Sequence, residues 1–67
     1  MITVFINGQP REIPAGQSVD ALLALLALPL DRVAVELDRS IVRKRDWSNA
    51  RIADGAHLEI VEFVGGG

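Results

Sequence analysis

The chain has 67 residues, a formal net charge of −2 and no cysteine. This length allows one domain and not two, and the lack of cysteine excludes disulfides, thiolate metal sites, iron–sulfur clusters and cysteine nucleophiles. A hydrophobic content of 49% favours a folded core, and the slightly acidic balance does not match the clustered basic surface typical of nucleic-acid binding.

The first predicted element is a β-hairpin. Residues 2–6 form a β-branched and aromatic run typical of a strand. The dipeptide Asn7-Gly8 follows, and it is the strongest short signal for a two-residue hairpin turn. Residues 9–13 are then the return strand, and because Pro10 cannot donate a ladder hydrogen bond, we expect this strand at a sheet edge.

The next predicted element is a helix from about residue 19 to residue 27. Ser18 is expected to cap its first amides, and Asp20 lies in the first turn, where the helix dipole favours a negative charge. Pro29 disfavours helical backbone at the residue before it and so ends the helix. Apolar residues recur at helical spacing on one face, which predicts that this face is buried: Val19, Leu22, Leu23 and Leu26.

The second half of the chain predicts three more strands, over residues 33–37, 41–43 and 57–64. Between them, residues 44–52 are polar, and we expect turns, a single helical turn and Trp47 as a lid on the small core. The order β-β-α-β-β-β leaves one helix to cover one face of a sheet. We therefore predict an α+β, β-grasp fold, with a mixed sheet of four to five strands and the last strand beside the first.

The chain divides into a predicted β-grasp domain over residues 1–64 and a predicted flexible glycine tail over residues 65–67, because three consecutive glycines do not stay ordered unaided. The start of the chain has no signal-peptide pattern. The longest apolar run, residues 21–30, is too short to cross a bilayer. We expect a cytoplasmic protein that is a monomer alone and has neither a nucleic acid nor a membrane as partner.

Strand alternation predicts which residues of the first and last strands lie on the open face of the sheet, away from the helix. The residues expected to face the helix are Val4, Ile6, Leu58 and Ile60. Phe5, Val61 and Phe63 are expected together on the open face, and with Val64 they form a predicted docking patch at the root of the tail. The alternative is that the phenylalanines merely cover a sheet edge.

The sequence offers no conventional active site. His57 is the only histidine, and no nucleophile with a matching context accompanies it, so we interpret it as a solvated strand residue. The carboxylates are scattered without the spacing of a metal site, and no phosphate-binding glycine loop occurs. We expect no catalytic residue, no metal and no cofactor bound by this chain.

The remaining reactive group is the α-carboxylate of Gly67. A carboxylate is a poor electrophile, but an acyl-phosphate anhydride made from it is a good one. Glycine suits this chemistry because it has no Cβ to shield the carbonyl carbon or to obstruct a narrow cleft. The alternative is that the glycines are a cloning remnant or a ragged end.

Together, several short stretches resemble the ThiS family, the ubiquitin-like sulfur carrier proteins of thiamine biosynthesis. The resemblance covers the whole chain and rests on residues 14–19, Leu22-Leu23, residues 35–38, Ile41-Val42, Trp47, Asp54-Gly55 and Gly66-Gly67. Two positions depart from the family pattern. Arg43 stands where proline is frequent, which concerns a turn, and Gly65 stands where alanine is common, which should loosen the tail.

The resemblance implies a carrier that serves as co-substrate and is not itself an enzyme. An E1-like adenylating enzyme of the ThiF type would use ATP to adenylate Gly67, with Gly65 and Gly66 threading its cleft. A sulfur donor such as cysteine desulfurase would convert the adenylate to a thiocarboxylate. Thiazole synthase of the ThiG type would accept the sulfur, and the carboxylate of the carrier would be restored.

Three alternatives remain open at the level of the sequence. A sister carrier for molybdopterin or cysteine synthesis would share the fold and the tail. A ubiquitin-like protein modifier would form isopeptide bonds through Gly67, although Lys44 is the only lysine, so that branched polymers are not expected. An interaction module with a tail of no importance would tolerate removal of Gly66 and Gly67.

Overall fold

The computed structural model describes residues 1–63. Its strands are β1 (Ile2–Ile6), β2 (Gln9–Ile13), β3 (Val33–Leu37), β4 (Ser40–Val42) and β5 (His57–Glu62); its helix is α1 (Val19–Leu25), and a single 3₁₀ turn covers Lys44–Asp46. The five strands form one sheet in the order β2-β1-β5-β3-β4. The predicted α+β, β-grasp architecture is confirmed.

The first and last strands lie side by side at the centre of the sheet. β1 and β5 are parallel, with Phe5 opposite His57 and Ile6 opposite Leu58. The other neighbouring strands are antiparallel. β2 lies at an edge of the sheet, as predicted from Pro10. Proline has no amide hydrogen, and at an edge this removes no hydrogen bond from the interior of the sheet.

The core lies between the sheet and α1. Fully buried side chains come from both layers: Val4, Ile13, Val19, Leu22, Leu23, Val35 and Leu58. Trp47 is also buried, and its indole Nε1 donates to the carbonyl oxygen of Val42 at 2.9 Å. The predicted lid is confirmed, and its hydrogen bond ties the edge strand β4 to the core.

Both hairpins turn through two residues with left-handed backbone. Asn7 and Gly8 have φ values of 51° and 82°, and Asp38 and Arg39 have values of 49° and 72°. Such pairs match the twist of the flanking strands. The second turn is tight, so β4 begins at Ser40, one residue earlier than predicted.

The helix begins at Val19 as predicted, but the proposed cap by Ser18 is wrong. The Ser18 hydroxyl makes no capping bond and instead donates to Oδ1 of Asp20. That same carboxylate oxygen accepts from the backbone nitrogen of Ala21 at 2.9 Å. Asp20 therefore accepts a hydrogen bond from a backbone amide in the first turn. Its negative charge is also favoured there, because the N-terminal end of a helix carries a partial positive charge.

The helix ends at Leu25, two residues before the predicted end. The amide of Leu28 donates to the carbonyl oxygen of Leu23 at 3.1 Å. The amide of Ala27 donates to the carbonyl oxygen of Ala24 at 3.0 Å. This bond pair, with Ala27 at a φ of 58°, is the Schellman ending. The chain leaves the helix through this motif before it reaches Pro29.

The last strand ends at Glu62, and the amide of Phe63 still bonds to the carbonyl of Arg32 at 2.6 Å. The expected strand end at Val64, the expected domain boundary and Gly65, Gly66 and Gly67 lie outside the described residues. Over residues 1–63, no helix has the length and apolar character needed to cross a membrane.

Candidate functional site

The face of the sheet opposite α1 carries Phe5 and Val61, two of the residues predicted for docking, whereas Val64 lies outside the described residues. Leu58 and Ile60 point into the core, with 1% and 8% of their surfaces exposed. Because side chains alternate along a strand, His57, Glu59 and Val61 lie on the open face. The predicted division of β5 into a core side and an open side is confirmed.

Phe5 lies at one end of the open face and is partly covered. Its ring stacks on that of His57, with ring centroids 4.6 Å apart and planes 12° from parallel. Pro10 is its partner on the other side, in β2. His57 is exposed as predicted, but the sequence analysis missed its stacking, which depends on the pairing of the two strands.

An apolar patch, defined as Ala34, Ile41 and Val61, lies towards the other end of the open face. Val61 is opposite Ala34 in the sheet, and 57% of its surface is exposed. Ile41 is 76% exposed, and all three residues line one shallow depression. Phe63, which is 58% exposed, follows the patch along the chain.

The structure does not bring Phe5 together with Val61 and Phe63, contrary to the predicted grouping. Phe5 is opposite His57, and Val61 is four residues further along β5, about 13 Å away at the rise of a strand. Sequence reasoning missed Ala34 and Ile41, which lie near Val61 instead. Alternation in β3 and β4 would have placed both outward, but only the pairing of β3 with β5 sets them beside Val61.

Two carboxylates lie beside the apolar patch. Glu36 and Glu59 are direct partners across β3 and β5, and both are exposed. Among residues 1–63, the ion pair within 4.0 Å joins Arg45 to Asp46, so neither glutamate has a cationic partner there. Like charges directly opposite each other destabilise a sheet. The open face therefore combines an apolar depression with two exposed carboxylates that make no ion pair within 4.0 Å in residues 1–63.

The part of the chain covered by the structure contains no group of three histidine, cysteine, aspartate or glutamate residues placed to hold a metal ion. The chemistry of the open face is that of a contact surface: an apolar area for burial and two carboxylates for a cationic side chain of a partner.

Comparison with known proteins gives consistent matches. A family model described as "ThiS family" matches residues 4–67, which include the terminal glycines. The crystal structure of a thiamine biosynthesis protein (ThiS) from Geobacter metallireducens superposes with a TM-score of 0.86 at 26% identity, covering 98% of this chain and 100% of that one.

Two similar curated proteins are much longer than this chain. A thiazole synthase of Paramagnetospirillum magneticum is 44% identical over 62 residues, which are 92% of this chain and 19% of that protein. A thiazole synthase of Magnetococcus marinus is 30% identical over 64 residues, which are 96% of this chain and 20% of that protein. The chain thus spans about a fifth of the length of these relatives.

Proposed function

The chain belongs to the ThiS family, and from this membership we propose that it is a sulfur carrier protein of thiamine biosynthesis. The observation that carries the proposal is the family match over residues 4–67, which includes both the β-grasp body and the closing glycines. The superposition on a ThiS chain with a TM-score of 0.86 supports it, because the alignment covers 98% of this chain and 100% of that one. The protein is a carrier and co-substrate in this proposal, and its partners supply the catalysis.

The reacting group is the carboxylate of Gly67. A carboxylate oxygen attacks the α-phosphorus of ATP in an E1-like partner of the ThiF type, pyrophosphate leaves, and an acyl adenylate forms. The persulfide of a sulfur donor such as cysteine desulfurase then attacks the carbonyl carbon, and AMP leaves with one former carboxylate oxygen. A thiol reduces the resulting acyl disulfide, so that a thiocarboxylate remains and the donor cysteine is left in a disulfide with that thiol. No side chain shields the carbonyl carbon of this end of the chain, because its last three residues are all glycine: Gly65, Gly66 and Gly67.

Thiazole synthase of the ThiG type is the proposed acceptor of the sulfur. Support comes from the two relatives named thiazole synthase, in which about a fifth of the polypeptide is similar to nearly all of this chain. Joining two proteins in one polypeptide raises their effective concentration for each other. A carrier segment inside a thiazole synthase is therefore what direct sulfur transfer between the two would favour.

The proposed docking surface for the adenylating partner is the apolar patch together with Phe63 and Val64. The patch and Phe63 are exposed and lie near the C-terminal end of β5, the strand that precedes the glycines in the sequence. Glu36 and Glu59 add a negative charge that a basic residue of the partner would neutralise. Phe5 is not part of this surface, because it lies at the far end of the face, stacked on His57.

The decisive experiment is the intact mass of the protein, purified without a C-terminal tag from cells starved of thiamine. We expect a fraction heavier by the difference between one sulfur and one oxygen atom. A matched variant that lacks Gly66 and Gly67 should show no heavier fraction and an unchanged circular dichroism spectrum. A wild-type protein that never gains sulfur, or a shortened variant that supports thiazole synthesis, would contradict the proposal.

Complementation separates this carrier from its sister carriers. The gene should restore growth of a thiazole auxotroph that lacks its own carrier. Rescue of a molybdopterin-carrier mutant without rescue of the thiazole auxotroph would place the chain in the other pathway.

A further inference from the structure

We propose that Asn7 is a positioning residue, which holds β5 at Ile60 and thereby sets the direction in which the sheet delivers the tail to a partner. The inference rests on the proposed function, since it concerns the placement of the reacting carboxylate. The observation is a pair of hydrogen bonds between the Asn7 side chain and the Ile60 backbone. Oδ1 accepts from the Ile60 nitrogen at 2.8 Å, and Nδ2 donates to the Ile60 carbonyl oxygen at 3.1 Å.

These two bonds extend the central ladder by one step. The paired residues of β1 and β5 end with Ile6 and Leu58, and the Asn7 amide still bonds to the Leu58 carbonyl at 2.8 Å. Beyond this point the backbone of Asn7 turns into the hairpin with a φ of 51°. Its side-chain amide, which carries a donor and an acceptor as a peptide group does, bonds to Ile60 in place of the next backbone residue.

We call the pair of hydrogen bonds between the Asn7 side chain and the Ile60 backbone the clamp, and its place along β5 determines what its loss would change. Ile60 lies three residues before Phe63, and in residues 1–63 the further pairs of β5, at Val61 and Glu62, are with β3 alone. The Asn7 side chain is thus the last contact on the β1 side that holds the backbone of β5. Without it, the end of β5 is fixed along one edge only, and its direction is less well defined.

A change in that direction matters for a reacting group carried at the end of a chain. Proper alignment of reacting atoms contributes strongly to rate, and a misplacement of about 1 Å can cost about 10²-fold. Docking through the apolar patch would remain, because none of its three residues contacts Asn7 through a hydrogen bond. Loss of the clamp should therefore lower kcat for adenylation while KM stays nearly constant.

Two substitutions separate the clamp from the turn. Glycine accepts the left-handed backbone, so Asn7→Gly preserves the turn and removes both side-chain bonds. Asp-Gly also favours this turn type. Asn7→Asp therefore preserves the turn and the bond to the Ile60 nitrogen, but it replaces the donor to the Ile60 carbonyl by an oxygen. If Asn7 served only the turn, both variants would behave like the wild type.

The experiment measures adenylation of the carrier by the ThiF-type partner as ATP–pyrophosphate exchange, together with amide hydrogen exchange of the free carrier. For Asn7→Gly we expect kcat to fall at least about tenfold with little change in KM. The amides of β5 from Ile60 onward should exchange faster, while those of α1 and β2 should not. Asn7→Asp should show the same pattern to a smaller degree.

Ala24→Gly is the matched control, because it loosens the exposed side of α1 and leaves the clamp intact. Its kcat should equal that of the wild type. Wild-type kcat in both Asn7 variants, or equally faster exchange in every element, would overturn the inference. If the wild-type carrier is not adenylated at all, the proposed function has failed, and hydrogen exchange still tests whether Asn7 holds the end of β5.

Discussion

Among residues 1–63, four residues other than glycine adopt left-handed backbone, and they differ in what compensates for it. Asn7 bonds to Ile60, and Asp38 accepts a hydrogen bond from the amide of His57 at 2.9 Å through Oδ1. Asn and Asp adopt this region more readily than most other residues, and here both side chains bond to the backbone of β5. Ala27, at a φ of 58°, has no polar side chain to compensate in this way. Its conformation costs about 1 kcal/mol that glycine would not pay.

At Ala27 we predict a stabilising substitution. Ala27→Gly should raise the free energy of unfolding by about 0.5–1 kcal/mol, because glycine suits the left-handed position that ends a helix. Urea denaturation followed by circular dichroism measures the change. The control is Ala24→Gly, at a helical position in the last turn of the same helix, which should lower the free energy by up to about 1 kcal/mol. A loss of stability at both positions would show that the left-handed backbone of Ala27 is not strained.

At the scale of elements, β5 contributes side chains both to the core and to the open face of the sheet. Its inward residues, Leu58 and Ile60, are buried, and its outward residue Val61 belongs to the apolar patch. The neighbouring strands add Ala34 and Ile41, so the patch is a product of three strands. Substitutions on the open face should therefore affect docking much more than folding.

For the apolar patch we predict an effect on docking alone. Ile41→Ser should raise KM for adenylation about tenfold, since burying an aliphatic side chain contributes about 1.5 kcal/mol. The melting temperature should change little, because 76% of the Ile41 surface is exposed. Leu25→Ser is the matched control, since Leu25 is 51% exposed on α1, across the molecule. Equal effects of the two substitutions on KM would argue against docking through the patch.

For the paired glutamates we predict opposite effects on stability and docking. Glu36→Gln or Glu59→Gln should raise the free energy of unfolding by up to about 0.5 kcal/mol, because repulsion across the strands is relieved. Each should also raise KM for adenylation and weaken its dependence on salt, because a steering charge is lost. Glu12→Gln, in the edge strand β2, is the control. An unchanged salt dependence in both glutamate variants would show that these charges do not face the partner.

At the scale of the whole molecule, the proposed function assigns separate tasks to the packed body and to the carboxylate of Gly67. In residues 1–63, the body buries its core between α1 and the sheet, and its open face is the proposed docking surface. The proposed chemistry belongs to Gly67, outside the described residues. Stability and reactivity should therefore respond largely to different substitutions.

Extension of the chain by one residue tests this separation. An added alanine after Gly67 moves the terminal carboxylate by about 3.5 Å, the length of one residue, and replaces the reacting glycine. We expect no thiocarboxylate by intact mass, together with an unchanged thermal unfolding curve. Thiocarboxylate formation on the extended protein at the wild-type level would contradict the requirement for a free carboxylate on Gly67.

Local patterns in the chain were sufficient for most of the fold. The β-branched run of β1, the Asn7-Gly8 turn and the apolar face of α1 each depend on neighbours close in sequence, so they could be predicted without a structure. Pro10 placed β2 at an edge for an equally local reason. The helix end at Leu25 escaped prediction, because the Schellman ending uses alanine where glycine is the usual signal.

Contacts between distant segments could not be read from such patterns. Phe5 meets His57, Val61 meets Ala34, and the Asn7 side chain meets Ile60, 53 residues away, only through the register in which the strands pair. That register depends on how the side chains of all five strands and α1 pack together. The residue types therefore revealed the elements, the family resemblance and the candidate terminal glycine. The tertiary structure decided which residues make up the open face and which backbone group Asn7 holds. These depend on strand register, because shifting a strand by one residue changes all of its partners at once.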